Sequence, residues 1–300
     1  MVALYTMDYL VAIILGLVQG ATEFIPISSS GHLIIARQLL GENNISGLSF
    51  DAVLQFATTL AVLVYFWRDI IKIFFIFLKI LSRHIFFGAR INRWCDFAQS
   101  RLPSCEVSQK DMNSTNLQKD ETLFWVIIIG TIPAVIFGLF LESTMETIFR
   151  NVDLVALALI LGSILFWFAQ KISKQDKILS LGRGVVIGFF QCLALVPGIS
   201  RSGATISGGL ITGLTKEETI RLSFLLSVPI LLGTGLKKLF EVRQDLLTTD
   251  LGLSLFLGSI TAFMVGLLSI NFLIKYLKNH SLNLFIWYRI GLAIAIFLLF

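Results

Sequence analysis

Charge is scarce in this chain: of its 300 residues 14% are Asp, Glu, Lys or Arg, while 56% are hydrophobic. With a mean hydropathy of +0.84, the composition excludes a soluble domain of this size and fits a polytopic membrane protein. Cysteine is nearly absent too. Cys95, Cys105 and Cys192 have no metal-ligand spacing, so a thiolate metal site is excluded and free thiols are expected. The first residues lack the basic n-region and small-residue cleavage site of a signal peptide, so the first apolar run is expected to stay in the mature protein. Low-complexity repeats are missing. The net charge of +5 does not indicate nucleic acid, because the Lys and Arg lie in loops and form no stripe with interleaved base-stacking aromatics.

Against this background two stretches stand out. GATEFIPISSSGHLII, Gly20 to Ile35, interrupts an apolar run with a carboxylate, a proline, three hydroxyls and a histidine. PGISRSGATISGG, Pro197 to Gly209, repeats the device with an arginine. An ionisable group at membrane depth is tolerated where it faces a cavity or a partner, so both stretches read as functional sites.

The apolar runs flanking each break, Tyr9–Gln19 with His32–Leu40 and Val185–Leu195 with Gly203–Thr212, are too short to cross a core that takes about 20 residues. Each pair is expected to form a re-entrant hairpin, entering and leaving by one face. Single spans are expected at Phe50–Arg68, Leu123–Leu141, Leu154–Ala169, Thr219–Leu239, Leu251–Tyr276 and Leu282–Phe300. The expected fold is therefore all-α and polytopic, with six transmembrane helices and two re-entrant hairpins. Hairpin plus three spans occurs twice, in residues 1–172 and 183–300, and the odd number of crossings inverts the second copy. Gly16-x-x-Gln19 before Ser28-Ser29-Ser30-Gly31 is echoed by Gly188-x-x-Gln191 before Ser200-Arg201-Ser202-Gly203.

Loop charge sets the orientation. Nine Lys/Arg between Arg68 and Glu121, four between Gln170 and Gly184 and two between Lys275 and Asn283 place those loops in the cytoplasm and both termini outside. Residues 82–121 are expected to be a cytoplasmic loop insertion, its tail Lys110–Asp120 irregular.

Gln19 and Glu23, four apart, share a helix face, and Pro26 puts Glu23 in the last turn before the first break. A carboxylate there meets the negative end of the helix dipole. It is expected to bind a metal, pair with a basic side chain or act as a general base. Beyond each break a helix opens with unpaired amides, an anion site. If the two breaks meet, Arg201 adds a planar fork suited to phosphate. Arg289, beside Trp287 and Tyr288, is expected to snorkel to the interface, and Asp51 to cap a helix.

At these residues the chain resembles the undecaprenyl-diphosphate phosphatases of the bacitracin-resistance family. Gln19-x-x-x-Glu23 with Thr22, Pro26, Ser28, Ser29, Gly31 and His32 is similar to one family element, and Pro197, Gly198, Ser200, Arg201, Ser202, Gly203 and Thr205 to another. The likeness covers nearly the whole chain outside Ile85–Asp120, and Gln19 stands where many members carry Glu. It implies a hydrolase of the bacterial plasma membrane that converts undecaprenyl diphosphate to the monophosphate carrier lipid used in cell-wall synthesis. Bacitracin resistance would follow, since that antibiotic sequesters the diphosphate.

Phosphoryl transfer needs charge stabilisation and an in-line nucleophile. The expected catalytic set is Glu23, Ser29, His32 and Arg201, with Ser29 the favoured nucleophile and a water or His32 the alternatives. Gln19, Thr22, Ser28, Ser30, Gly31, Ser200, Ser202, Gly203 and Thr205 are expected to line the substrate site. Glu23 with phosphate oxygens is a place for Mg²⁺ or Ca²⁺. The expected partners are the lipid substrate and the bilayer, with a homodimer left open. A polyprenyl-phosphate flippase or anion transporter is the competing reading, because inverted repeats with broken helices also build carriers.

Overall fold

The computed structural model describes residues 8–41, 47–84, 114–147, 151–241 and 249–299. The regular elements among them are helices: α1 (Tyr9–Thr22), α2 (Ser29–Leu39), α3 (Gly47–Tyr65), α4 (Trp67–His84), α5 (Ser114–Thr147), α6 (Val152–Ile172), α7 (Leu181–Leu193), α8 (Arg201–Ile211), α9 (Lys216–Glu241), α10 (Thr249–Asn279) and α11 (Asn283–Leu299). Four stretches of described residues are long and apolar enough to cross a bilayer: Gln118–Leu141, Val152–Ile172, Lys216–Glu241 and Gly252–Asn279. The expected spans in α3 and α11 are apolar but shorter there, at Phe50–Tyr65 and Asn283–Leu298. Leu17, Phe140, Trp167, Phe189 and Leu268 are exposed, the outer surface of a protein whose solvent is lipid.

Two short helices followed by three longer ones occur twice, as α1, α2, α3, α5, α6 and as α7 to α11, and among the described residues α4 alone has no counterpart. The two breaks stay in register at a constant offset of 172 positions, from Gly16 and Gly188 to Gly41 and Gly213. Both of those last glycines take positive φ, 74° and 88°.

Packing crosses between the halves. α1 lies along α10, and α7 lies along α5, the counterpart of α10. Each contact is made backbone to backbone at glycines: a Cβ on Gly16 would stand 2.3 Å from the Gly258 carbonyl oxygen, and one on Gly188 2.5 Å from that of Gly130. Lipid tails are as apolar as leucine, so close approach at small residues, rather than exclusion of water, joins helices in a bilayer.

The segment after α3 departs from expectation. Residues 67–84 form the helix α4, and residues 114–120, expected to be irregular, are the first turns of the 34-residue α5. Charges at Arg68, Asp69, Lys72 and Lys79 make α4 look like loop in a hydropathy reading. Its apolar residues instead gather on one face, with Ile70 and Ile73 packed against the core and Ile76 buried. Asp69 accepts from Arg221 of α9 at 2.6 and 3.0 Å. Residues 85–113, most of the expected insertion and including Cys95 and Cys105, lie outside the described residues. Cys192 is free and half-buried. Asp51 is not a cap: it sits inside α3 and pairs with Arg37 of α2 at 2.5 Å.

Candidate active site

The two breaks meet. α1 stops at Thr22, and Glu23 is its C-cap residue, still helical at φ −62°, with its N–H donating to the Gln19 carbonyl at 2.9 Å. The four-residue spacing carries Gln19 onto the same face, where its Nε2 donates to Glu23 Oε2 at 2.8 Å. Across the break, at the first position of α2, the Ser29 hydroxyl donates to that same oxygen at 2.7 Å. From the other half of the chain Arg201, first residue of α8, donates through Nη2 to the second carboxylate oxygen, Oε1, as an ion pair. Glu23 is only 6% exposed. Burial of such a charge demands this many donors.

Ser29 and Arg201 are counterparts, 172 positions apart. The residues before them, Ser28 and Ser200, have the same unusual backbone, φ 76° and 77°. Each turns its hydroxyl back to accept the N–H of the third residue of its helix, Gly31 and Gly203 respectively, at 3.3 Å in both cases. Ser28 accepts a second N–H, from Gly198 of the other break at 3.1 Å, so one hydroxyl caps α2 and ties the two tips. Ser30 lies 3.4 Å from Ser28 and Ser202 3.1 Å from Ser200, hydroxyl to hydroxyl.

Other expected site residues stand further from the acid. Thr22 donates to the Val18 carbonyl in its own helix at 2.7 Å, and the Thr205 hydroxyl bonds the Arg201 carbonyl at 2.8 Å and the Ser223 hydroxyl at 2.6 Å. Gly31 and Gly203 are close-approach residues. A Cβ at Gly31 would sit 3.0 Å from Val155, and one at Gly203 1.9 Å from the Phe166 ring.

His32 is near the centre but not joined to Ser29 by any hydrogen bond found among the described residues. Its Nδ1 faces the Ser28 carbonyl at 2.7 Å and its Nε2 the Tyr288 hydroxyl at 2.8 Å. A carbonyl only accepts, so Nδ1 carries the proton and the neutral ring's Nε2 accepts from the phenol. Tyr288 was legible in the sequence only as an interfacial aromatic.

Arg289 overturns its expected snorkelling. It is 0% exposed. Nη1 donates to the carbonyls of Pro26 at 3.2 Å and Ile199 at 2.9 Å, and Nη2 to that of Gly198 at 2.9 Å. On the α6 side Nη2 reaches the Leu159 carbonyl at 3.2 Å and Nε the Ser163 hydroxyl at 3.2 Å, with the Phe166 ring 4.8 Å away. The guanidinium ended up inside because the carbonyls freed by both breaks need donors that lipid cannot supply.

Among the described residues two buried atoms of this centre have no partner, Arg201 Nη1 and Gln19 Oε1, and the same holds for Oε1 of Gln191, the counterpart of Gln19 in the second half. Buried polar atoms are rarely left so. A free guanidinium N–H across the Glu23 carboxylate from Ser29 suits an anion, while the free Gln19 oxygen beside Glu23 suits a hard cation bound through oxygens. Among the described residues no three His, Cys, Asp or Glu side chains come together as a metal cage.

Fold and site together define the class: a multi-pass membrane protein with a buried polar centre where two interrupted helices touch. Residues 12–295 match the family described as bacitracin resistance protein BacA, and the chain belongs to that family. It is 39% identical over 297 residues to the undecaprenyl-diphosphatase of Moorella thermoacetica, covering 98% of each chain. The undecaprenyl-diphosphatase of Renibacterium salmoninarum is 36% identical over 302 residues, covering 98% of this chain and 96% of the relative. That of Chloroherpeton thalassium is 38% identical over 299 residues, covering 96% and 95%.

Proposed function

We propose that this protein hydrolyses undecaprenyl diphosphate to undecaprenyl phosphate and inorganic phosphate within the membrane. The observation that carries this reading is the Glu23 carboxylate held between the Ser29 hydroxyl on one oxygen and Arg201 on the other. That arrangement supplies a nucleophile, its base and a cation for the phosphoryl oxygens, the parts that phosphoryl transfer asks of a protein.

The terminal phosphate enters against Arg201, whose free Nη1 takes one of its oxygens. Ser29 Oγ attacks the terminal phosphorus and its proton passes to Glu23 Oε2. The anhydride bond breaks, lipid monophosphate leaves, and a phosphoserine remains. Glu23 gives the proton it took to the departing lipid monophosphate, then takes one from the water that attacks the phosphoserine phosphorus and returns it to Ser29 Oγ as inorganic phosphate leaves. His32 is the weaker nucleophile here, because both ring nitrogens are already engaged. It orders the Ser28 carbonyl at the first break and faces Tyr288 at the rim. Mg²⁺ or Ca²⁺, held by Glu23 and Gln19 Oε1, would neutralise charge on the diphosphate oxygens when bound.

The topology belongs to the same proposal: six spans, with α1–α2 and α7–α8 as re-entrant hairpins, both termini outside the cytoplasm, and the site opening to the outer face of the bacterial plasma membrane. Removal of the diphosphate form accounts for bacitracin resistance.

The test is phosphate release from purified protein in detergent with a short-chain prenyl diphosphate. Turnover at one or more per second, within the usual range for enzymes, is expected. Binding without release would support a carrier instead, since no membrane is present to transport across.

A further inference from the structure

We infer that Arg289 is a positioning residue that sets the distance between the Glu23-bearing tip and the Arg201-bearing tip. The inference rests on the hydrolase reading and deepens it.

A broken helix leaves carbonyls at its C-terminal end with no N–H to accept, and water is not there to replace it. Arg289 meets that demand for both breaks with one rigid group. Its planar fork offers five N–H donors in fixed directions. Nη1 alone bridges the two halves, from Pro26 in the first break to Ile199 in the second. Pro26 lies three residues past Glu23 and Ile199 two before Arg201. The guanidinium is therefore a spacer between the backbone segments that carry the acid and its cationic partner.

Two further facts separate this from ordinary core packing. No carboxylate is among the hydrogen-bond partners of Arg289 found in the described residues; they are carbonyls and one hydroxyl. The neighbouring chain also makes room for it: a Cβ on Gly162 of α6 would lie 2.0 Å from Nη2 and 3.1 Å from the Ile199 carbonyl oxygen. Lysine carries the same charge on one nitrogen with three donors, so it can reach the carbonyls that Nη1 holds or those held by Nη2 and Nε, but cannot fix both sets at once as the planar fork does.

Arg289→Lys in the full-length protein, purified in detergent, is expected to elute and melt close to wild type. It should lose kcat by about 30- to 100-fold, the scale of a misplacement of about 1 Å, with KM for the short-chain prenyl diphosphate within threefold. Gly162→Ala pushes on the same guanidinium while leaving it in the chain, and should show the same split between kcat and KM. It carries the test if the lysine variant does not fold. Wild-type kcat per folded molecule in the variants that fold would overturn the inference, as would a loss confined to KM. Wild-type protein that releases no phosphate would defeat the hydrolase reading, and this inference with it.

Discussion

The two breaks share a backbone and differ in chemistry. Ser28 and Ser200 take nearly the same φ, cap their helices at the same distance, and stand the same number of residues before a left-handed glycine. One position later the first break has Ser29 and the second Arg201, and the place of Glu23 is taken in the second half by Leu195. A duplicated turn supplies the cradle twice. The function proposed here lives in the residues that broke the symmetry, which put acid and hydroxyl on one tip and the cation on the other.

Removing the asymmetric residues should have the largest effects. Arg201→Ala is expected to lower kcat/KM by about 10³-fold or more, as for cations that stabilise a transferring phosphoryl group, with the protein still monodisperse in detergent. Glu23→Gln should fall in the same range. Near-normal phosphate release by either would remove the basis for the proposed chemistry.

The contrast is sharper between neighbours. Ser29→Ala should cost about 10²-fold or more in kcat if its oxygen is the nucleophile. Ser28→Ala loses a cap and should appear mainly as about 1 kcal/mol of stability, read as a lower melting temperature. Equal and mild kinetic effects of both would shift the attacking role to water.

Stability should also separate the two glycines. Gly203→Ala drives a methyl into the Phe166 ring and is expected to destabilise by about 1–3 kcal/mol, the range for overpacking. Gly31→Ala meets a methyl of Val155 at 3.0 Å and the Ser28 hydroxyl at 3.2 Å, both milder than the Phe166 overlap, and its melting temperature should fall less.

The smallest expected difference lies between the glutamines. Gln19→Leu removes a donor to Glu23 and should lower kcat by about tenfold, on the scale of one charge-assisted hydrogen bond of roughly 1.5 kcal/mol. Gln191→Leu loses only a long bond to the Gly130 carbonyl at 3.5 Å, and its kcat should stay within twofold. Equal losses would mean that the second half contributes more to the chemistry than its residues indicate.

The breaks were legible in the sequence because proline, glycine and charge inside apolar runs have few other readings. Their meeting was legible only as a hope, and coordinates were needed to bring Arg201 onto Glu23 from 178 residues away. α4 was missed because hydropathy averages over a window, and a helix with one charged face averages to loop. Arg289 was misjudged because Trp287 and Tyr288 beside it look like an interfacial belt; nothing local reveals the carbonyls waiting on other helices. The Arg37–Asp51 pair was hidden in the same way, since its partners sit on different helices.

The glycine seam between α1 and α10 has a consequence for biogenesis. Gly16 leaves the ribosome long before Gly258 exists, and at bacterial elongation rates that interval is on the order of ten seconds or more. Throughout it the narrow face of α1, with its uncovered carboxylate nearby, must sit among lipids or be shielded by the insertion machinery. Depletion of that machinery should therefore expose the N-terminal half to membrane proteases first, even though its own sequence is intact.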